Sequence, residues 1–216
     1  MSDEQNVHAV PLSHGDGLGR RAVLQSLMAG AGATVAIPAL AADHPLHGSL
    51  QDAAKVGAAD RRARAAAYKP VFLDAHLFET LGILAEAIVP GSKPAKVAEF
   101  IDALAAVEES QTQRRLLGAL GAFEGLALSE HRKAWKALTS AEQVALLTRA
   151  STAEAAPRSR GTAGAATPTI RDQFDHLKGW ISGAYYSSEI GMKDLGWKGV
   201  VIHPKLLECG PAGSSA

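Results

Sequence analysis

Catalysis needs nucleophiles, proton carriers or metal ligands at workable spacing, and this sequence offers few. Eight histidines (His8, His14, His44, His47, His76, His131, His176 and His203) are scattered over its 216 residues. A zinc-binding helix needs two of them four positions apart on one face, and no pair has that spacing. His44 and His47 are the nearest pair and have no carboxylate partner beside them. There is no Gly-x-Gly-x-x-Gly after a strand, no phosphate-binding loop, no Cys-x-x-Cys-His for covalent haem and no Gly-x-Ser-x-Gly nucleophile elbow. Glu108-Glu109 reads as a solvated helix end. The single cysteine, Cys209, cannot close an internal disulfide, nor can it hold an iron–sulfur cluster, which needs several thiolates. It is read either as half of an interchain disulfide or as a free thiol. The expectation is a chain with no catalytic residue, no metal site and no cofactor-binding residue.

Two other groups of residues point elsewhere. Gly19-Arg20-Arg21-Ala22-Val23-Leu24-Gln25 sets paired arginines before a mildly apolar run in which no charge follows until Asp43. As a helix, that run is about a bilayer thick. It ends in Ala39-Leu40-Ala41, the small-x-small pattern cut by signal peptidase after Ala41. Arg20, Arg21, Ala39 and Ala41 together read as a twin-arginine (Tat) export signal. The competing readings are an uncleaved anchor with Arg20 and Arg21 on the cytoplasmic side and a soluble core helix. Export through the Tat translocase carries folded cargo to the periplasm, so the chain is either a cofactor protein or an escort for one.

The other group is aromatic. Trp180, Tyr185, Tyr186 and Trp197 fall close together in a chain with only three Trp and three Tyr. Trp180 and Tyr185 read as packing of the last helix. Adjacent helical residues point about 100° apart, so Tyr185 and Tyr186 cannot both face one core. Tyr and Trp are enriched at interfaces, and the candidate partner interface is Tyr185, Tyr186, Trp197 and Cys209.

The elements that must position these residues are helical. Asp74 is an N-cap signal for a helix to about Val89, with Leu77, Leu81, Leu84 and Ile88 on one face and Pro90-Gly91 as the stop. A second helix is expected from about Pro94 to Glu109. A third, from about Thr112 to Leu128, holds Gly118, Gly121 and Gly125, which lower propensity or let a neighbour approach closely. A short helix is expected over 129–138 with Trp135. A capping box at Ser140 and Gln143 then opens a helix carrying Val144, Leu146 and Leu147. Residues 157–168 form a Gly-, Ala- and Pro-rich loop. The last helix runs from about Thr169 to Ser188, and the segment from Gly196 to Pro204 is extended. The expected fold is all-α, an irregular bundle of about five to six helices with an extended C-terminal tail. Its organisation is a Tat signal over 1–41, a tether over 42–71 that contributes no core, and a helical small-subunit domain over 72–216. Lys+Arg and Asp+Glu balance at 22 each, which gives no electrostatic reason to expect a nucleic-acid partner.

The order of these features resembles a known family. A Tat leader is followed by the Pro-terminated helix Leu81-Gly82-Ile83-Leu84-Ala85-Glu86-Ala87-Ile88-Val89-Pro90. Then come Phe100-Ile101-Asp102, the Leu-Thr-Ser-Ala-Glu-Gln segment over 138–143, and Phe174 ahead of Gly183-Ala184-Tyr185-Tyr186-Ser187-Ser188-Glu189-Ile190-Gly191. Over roughly residues 72–210 this is similar to the gluconate 2-dehydrogenase subunit 3 family, the small subunits of membrane-associated flavoprotein dehydrogenases. The resemblance implies an escort that is not an enzyme by itself. It would bind, help to mature and co-export a large FAD-dependent subunit of the glucose–methanol–choline oxidoreductase type, which oxidises a sugar, polyol or aldonate. A cytochrome c subunit often takes the electrons, and the inner membrane is reached through partner subunits. The alternatives are a free-standing periplasmic enzyme or binding protein and a membrane-anchored adaptor.

Overall fold

Asp74 closes the first turn of a helix in the structure, as its position ahead of an apolar stripe predicts: its carboxylate accepts the Leu77 amide at 2.8 Å. The computed structural model describes residues 45–46, 49, 51–156 and 167–197. The leader residues Arg20, Arg21, Ala39 and Ala41, most of the 157–168 loop, and Cys209 lie outside the described residues. In chain order the helices are α1 (Ala53–Ala63), α2 (Ala75–Ile88), α3 (Val97–Ala105), α4 (Ser110–His131), α5 (Ser140–Thr152), α6 (Ile170–Tyr186) and α7 (Glu189–Asp194). A 3-10 turn, Trp135–Ala137, joins α4 to α5. Among the described residues there is no strand, and the fold is all-α.

α6 is the axis of the bundle. It packs against α2, α3, α4, α5 and α7, and His176, Leu177, Trp180, Ile181, Ala184 and Tyr185 form its buried face. Burying each large apolar side chain of this kind contributes about 1.5–3 kcal/mol. Thr169 opens the helix with a capping box, its hydroxyl accepting the Asp172 amide while the Asp172 carboxylate accepts the Thr169 amide. Both reciprocal bonds satisfy donors that a helix start otherwise leaves orphaned.

The structure departs from the sequence expectations at four places. α1 lies inside the segment read as a tether, and Leu46, Val56 and Ala63 are wholly buried; alanine on the inner face of α1 lets it lie close to α3 but blurs the apolar period. α4 runs on through 129–131 and ends where Arg132 adopts a left-handed conformation (φ 57°). The separate helix expected over 129–138 therefore reduces to the last turn of α4 and a 3-10 turn that drives Trp135 into the core. The capping box of α5 is Thr139 with Glu142, one residue earlier than Ser140 with Gln143. The Thr139 amide and hydroxyl, assisted by Lys133, hold the Glu142 carboxyl down to about 2. Gln143 instead donates to the carbonyls of Trp135 and Leu138. Finally, Gly118, Gly121 and Gly125 serve no helix contact, since a Cβ on any of them would meet nothing within 4 Å.

Candidate functional site

The run Gly183–Gly191 folds as a tight corner between α6 and α7. Ser187 donates its hydroxyl hydrogen to the Ala184 carbonyl at 3.0 Å, and Ser188 donates to the Tyr185 carbonyl at 2.6 Å. The Ser188 Oγ also accepts the Gly191 amide at 3.1 Å, which caps α7. The chain can fold back this closely only because residue 191 has no side chain: a Cβ there would stand 2.2 Å from the Tyr185 carbonyl oxygen. The serines and the terminal glycine of the run are therefore corner-forming groups.

The two tyrosines part company as helix geometry requires. Tyr185 points inward, only 2% exposed. Its hydroxyl donates to Asp194, and that bond, then burial, pushes the phenol up to about 12. The ring lies over the turn after α2, where Gly91 has φ +92° and a Cβ would come within 3.0 Å of the Tyr185 hydroxyl. Tyr186 points outward, 39% exposed, with its ring edge-on to that of Tyr185 at 5.1 Å. Ile190 and Leu195 are exposed beside it in sequence, Leu195 at 63%. Trp197 is half-buried, its amide bonded to the Met192 carbonyl at 3.0 Å. The corner thus presents Tyr186, Ile190 and Leu195 to solvent from two adjoining helix ends. The outward apolar residues of α7 carry no clear sequence signal, because six residues are too short for a period.

Three carboxylates that sequence reasoning passed over turn out to organise the fold. Asp102 is wholly buried in α3. It accepts the Tyr68 hydroxyl at 2.6 Å and the amides of Val71, Phe72 and Leu73 at 2.7, 3.2 and 2.7 Å. Burial, then this bond to Asp102, holds the Tyr68 phenol well above its usual range. Glu124 of α4 accepts the Thr80 hydroxyl and the Trp135 amide, and pairs with His76 at 3.0 Å. Glu86 accepts the amides of Gly91 and Lys93, which hold its carboxyl below the usual range. An acid inside an otherwise apolar stretch, as in Phe-Ile-Asp, was the available signal. These carboxylates spend their acceptor capacity on backbone amides, hydroxyls and, for Glu124, the His76 imidazole, which is structural work.

His176 is buried on α6, and desolvation, then the Arg115 charge, lowers its pKa to about 4. Its Nε2 and the Trp180 Nε1 make no hydrogen bond among the described residues. A groove of about 640 Å³, open to solvent, is lined by Phe78, Gly82, Ile83, Ser92, Ala98 and Val144, among others. Among the described residues no three His, Cys, Asp or Glu gather as a metal site, and no helix is long and apolar enough to cross a membrane.

The family model described as gluconate 2-dehydrogenase subunit 3 matches residues 75–202, more than half of the chain. That span contains the whole of α2 to α7, and so the corner, while α1 precedes it. No curated protein and no solved structure matches the chain.

Proposed function

The chain belongs to the gluconate 2-dehydrogenase subunit 3 family, and from that membership we propose that it is a non-catalytic small subunit. It binds a large FAD-dependent dehydrogenase subunit of the glucose–methanol–choline type, helps it to mature, and takes it through the Tat pathway to the periplasm by way of Arg20 and Arg21. The partner oxidises a CH–OH group of a sugar, polyol or aldonate. The FAD belongs to the partner, and a cytochrome c subunit receives the electrons.

The observation that carries the docking part of this reading is the α6–α7 corner. It spends Ser187, Ser188 and Gly191 on a rigid turn, yet leaves Tyr186, Ile190 and Leu195 facing water. Exposed apolar residues on a rigid frame suit association, because little ordering entropy is lost when they are covered. Tyr186 and Trp197 are the proposed anchors, Tyr185 sets the frame from inside, and Cys209 is a proposed interchain disulfide partner.

The test is co-expression with a large FAD-dependent dehydrogenase subunit from the same genome. A stable complex that reaches the periplasm, together with a flavoprotein stranded in the cytoplasm when this chain is deleted, is the expected result. Export of the flavoprotein by itself overturns the escort reading.

A further inference from the structure

The groove of about 640 Å³ opens between α2, α3 and the first turns of α5. Its floor is apolar: Phe78, Gly82 and Ile83 come from α2, Ala98 from α3 and the exposed Val144 from α5. Gly82 gives the floor its depth. A Cβ there would meet only Ala98, at 4.0 Å, so a longer side chain at this position would project into the groove. The rim is acidic on balance, with Glu79, Glu86 and Glu99 against Lys93. Each glutamate already has a partner: Lys136 for Glu79, the Gly91 and Lys93 amides for Glu86, and Lys96 for Glu99. An ionised carboxylate has acceptor sites for more.

The described chain ends close to one end of this groove. Gly196, at φ +78°, closes α7 with a Schellman turn. Its amide bonds to the Lys193 carbonyl at 2.8 Å and the Trp197 amide to the Met192 carbonyl at 3.0 Å. Asp194, three residues before Trp197, accepts the Tyr185 hydroxyl, and that hydroxyl lies against Gly91. The Gly91 amide bonds in turn to Glu86 of the rim at 2.9 Å, and Ser92, next in the chain, lines the groove. The ten residues after Trp197 can span roughly 33 Å when extended. They are Lys198-Gly199-Val200-Val201-Ile202-His203-Pro204-Lys205-Leu206-Leu207, three consecutive β-branched apolar residues set between lysines, with no acid among them. Elsewhere outside the described residues, 157–166 carry no large apolar side chain, and the apolar run 22–42 has arginines at one end only.

We propose that residues 198–207 dock in this groove of their own domain, with Val200, Val201 and Ile202 on the apolar floor and Lys198 and Lys205 toward the glutamates of the rim. This concerns the chain by itself and does not rest on the escort reading. A short tether gives an effective concentration in the millimolar range, so a contact too weak to hold a separate peptide is still populated. The floor supplies the attraction. Exposed charge pairs are worth little, and here they fix which stretch fits and in which direction. Cys209, two residues beyond the docked stretch, is thereby held at the surface of the domain.

Disulfide trapping in the full chain tests this. In a Cys209→Ser background, Val144→Cys is combined with Ile202→Cys and the protein is mildly oxidised. A bond within one chain should form at least tenfold faster than in a control that combines Ile202→Cys with Leu117→Cys, a site exposed on α4. Two further changes separate docking from chance encounter. Gly82→Leu, which fills the floor, and the pair Val200→Asp with Val201→Asp, which spoils the tail, should each slow the 144–202 bond about tenfold. The tail pair leaves the bundle untouched, so it decides the matter even where Gly82→Leu lowers the melting temperature. A rate no faster than the control, or one indifferent to the tail pair, shows that the groove does not hold the tail and overturns the proposal. A bond that forms between two chains overturns it in favour of a second copy as the occupant.

Discussion

The carbonyl oxygen of Tyr185 occupies the place where a Cβ on Gly191 would stand, 2.2 Å away. Backbone on both sides of that contact leaves no flexible side chain to give way. Gly191→Ala should therefore open the α6–α7 corner or strain it, lowering stability by about 3 kcal/mol, in the range of overpacked cores. A melting temperature lower by roughly 10 °C is the expected reading; an unchanged one would show that the corner relaxes freely.

Asp102→Ala removes the acceptor for the Val71, Phe72 and Leu73 amides and the Tyr68 hydroxyl. Orphaning the buried Leu73 amide together with three partly buried donors should cost about 3 kcal/mol. Asp102→Asn keeps one carbonyl oxygen and should cost less. Urea denaturation ranks the two; equal midpoints for Asp102→Ala and the parent would refute the clasp.

His176 has a pKa lowered from 6.5 to about 4 by burial, so the unfolded chain binds the proton more readily than the folded one. Stability is complete above the unfolded value and falls as pH drops from about 6.5 toward about 4, by an amount on the order of 3 kcal/mol at most. Depressed carboxylates such as Glu86 give up their own contribution only at lower pH, which leaves the upper part of the window to the histidine. His176→Gln should flatten the stability profile between pH 6.5 and 5. An equally steep profile in that variant would assign the slope to other groups.

Tyr186→Ala and Leu195→Ala should each weaken the complex with the flavoprotein by roughly tenfold and leave the free chain as stable as before. Tyr185→Ala, two atoms of chain away but 2% exposed, should instead destabilise the fold by about 3–5 kcal/mol, as for other large aromatic truncations. Titration calorimetry and thermal melts separate the two effects. A Tyr186→Ala chain that binds at full strength would move the interface off this corner.

Long helices were legible because Leu81, Leu84, Leu177 and Ile181 repeat on a helical period, and the opposed directions of Tyr185 and Tyr186 followed from one angle. α1 was not legible, since its inner face is mostly alanine, which looks the same inside and out. Glu142 outcompeted Gln143 for the cap of α5 because the register depends on where the chain leaves Trp135, a tertiary fact. The duty of Asp102 could not be read from spacing either: the amides it gathers lie about thirty residues upstream. Tyr186 was legible as an outward residue, whereas the exposure of Ile190 and Leu195 had no sequence signal in so short a helix.

The bare flank of α4 sets how far this domain lies from the sturdiest version of itself. Gly118, Gly121 and Gly125 face open space, and each glycine inside a helix costs about 1 kcal/mol relative to alanine. Converting all of them would add roughly 2–3 kcal/mol without touching a neighbour, a sizeable share of the 5–15 kcal/mol typical of a folded domain. The native sequence thus holds an untapped reserve of robustness, and α4 is the place to draw on it when the subunit must be made hardy enough to handle alone.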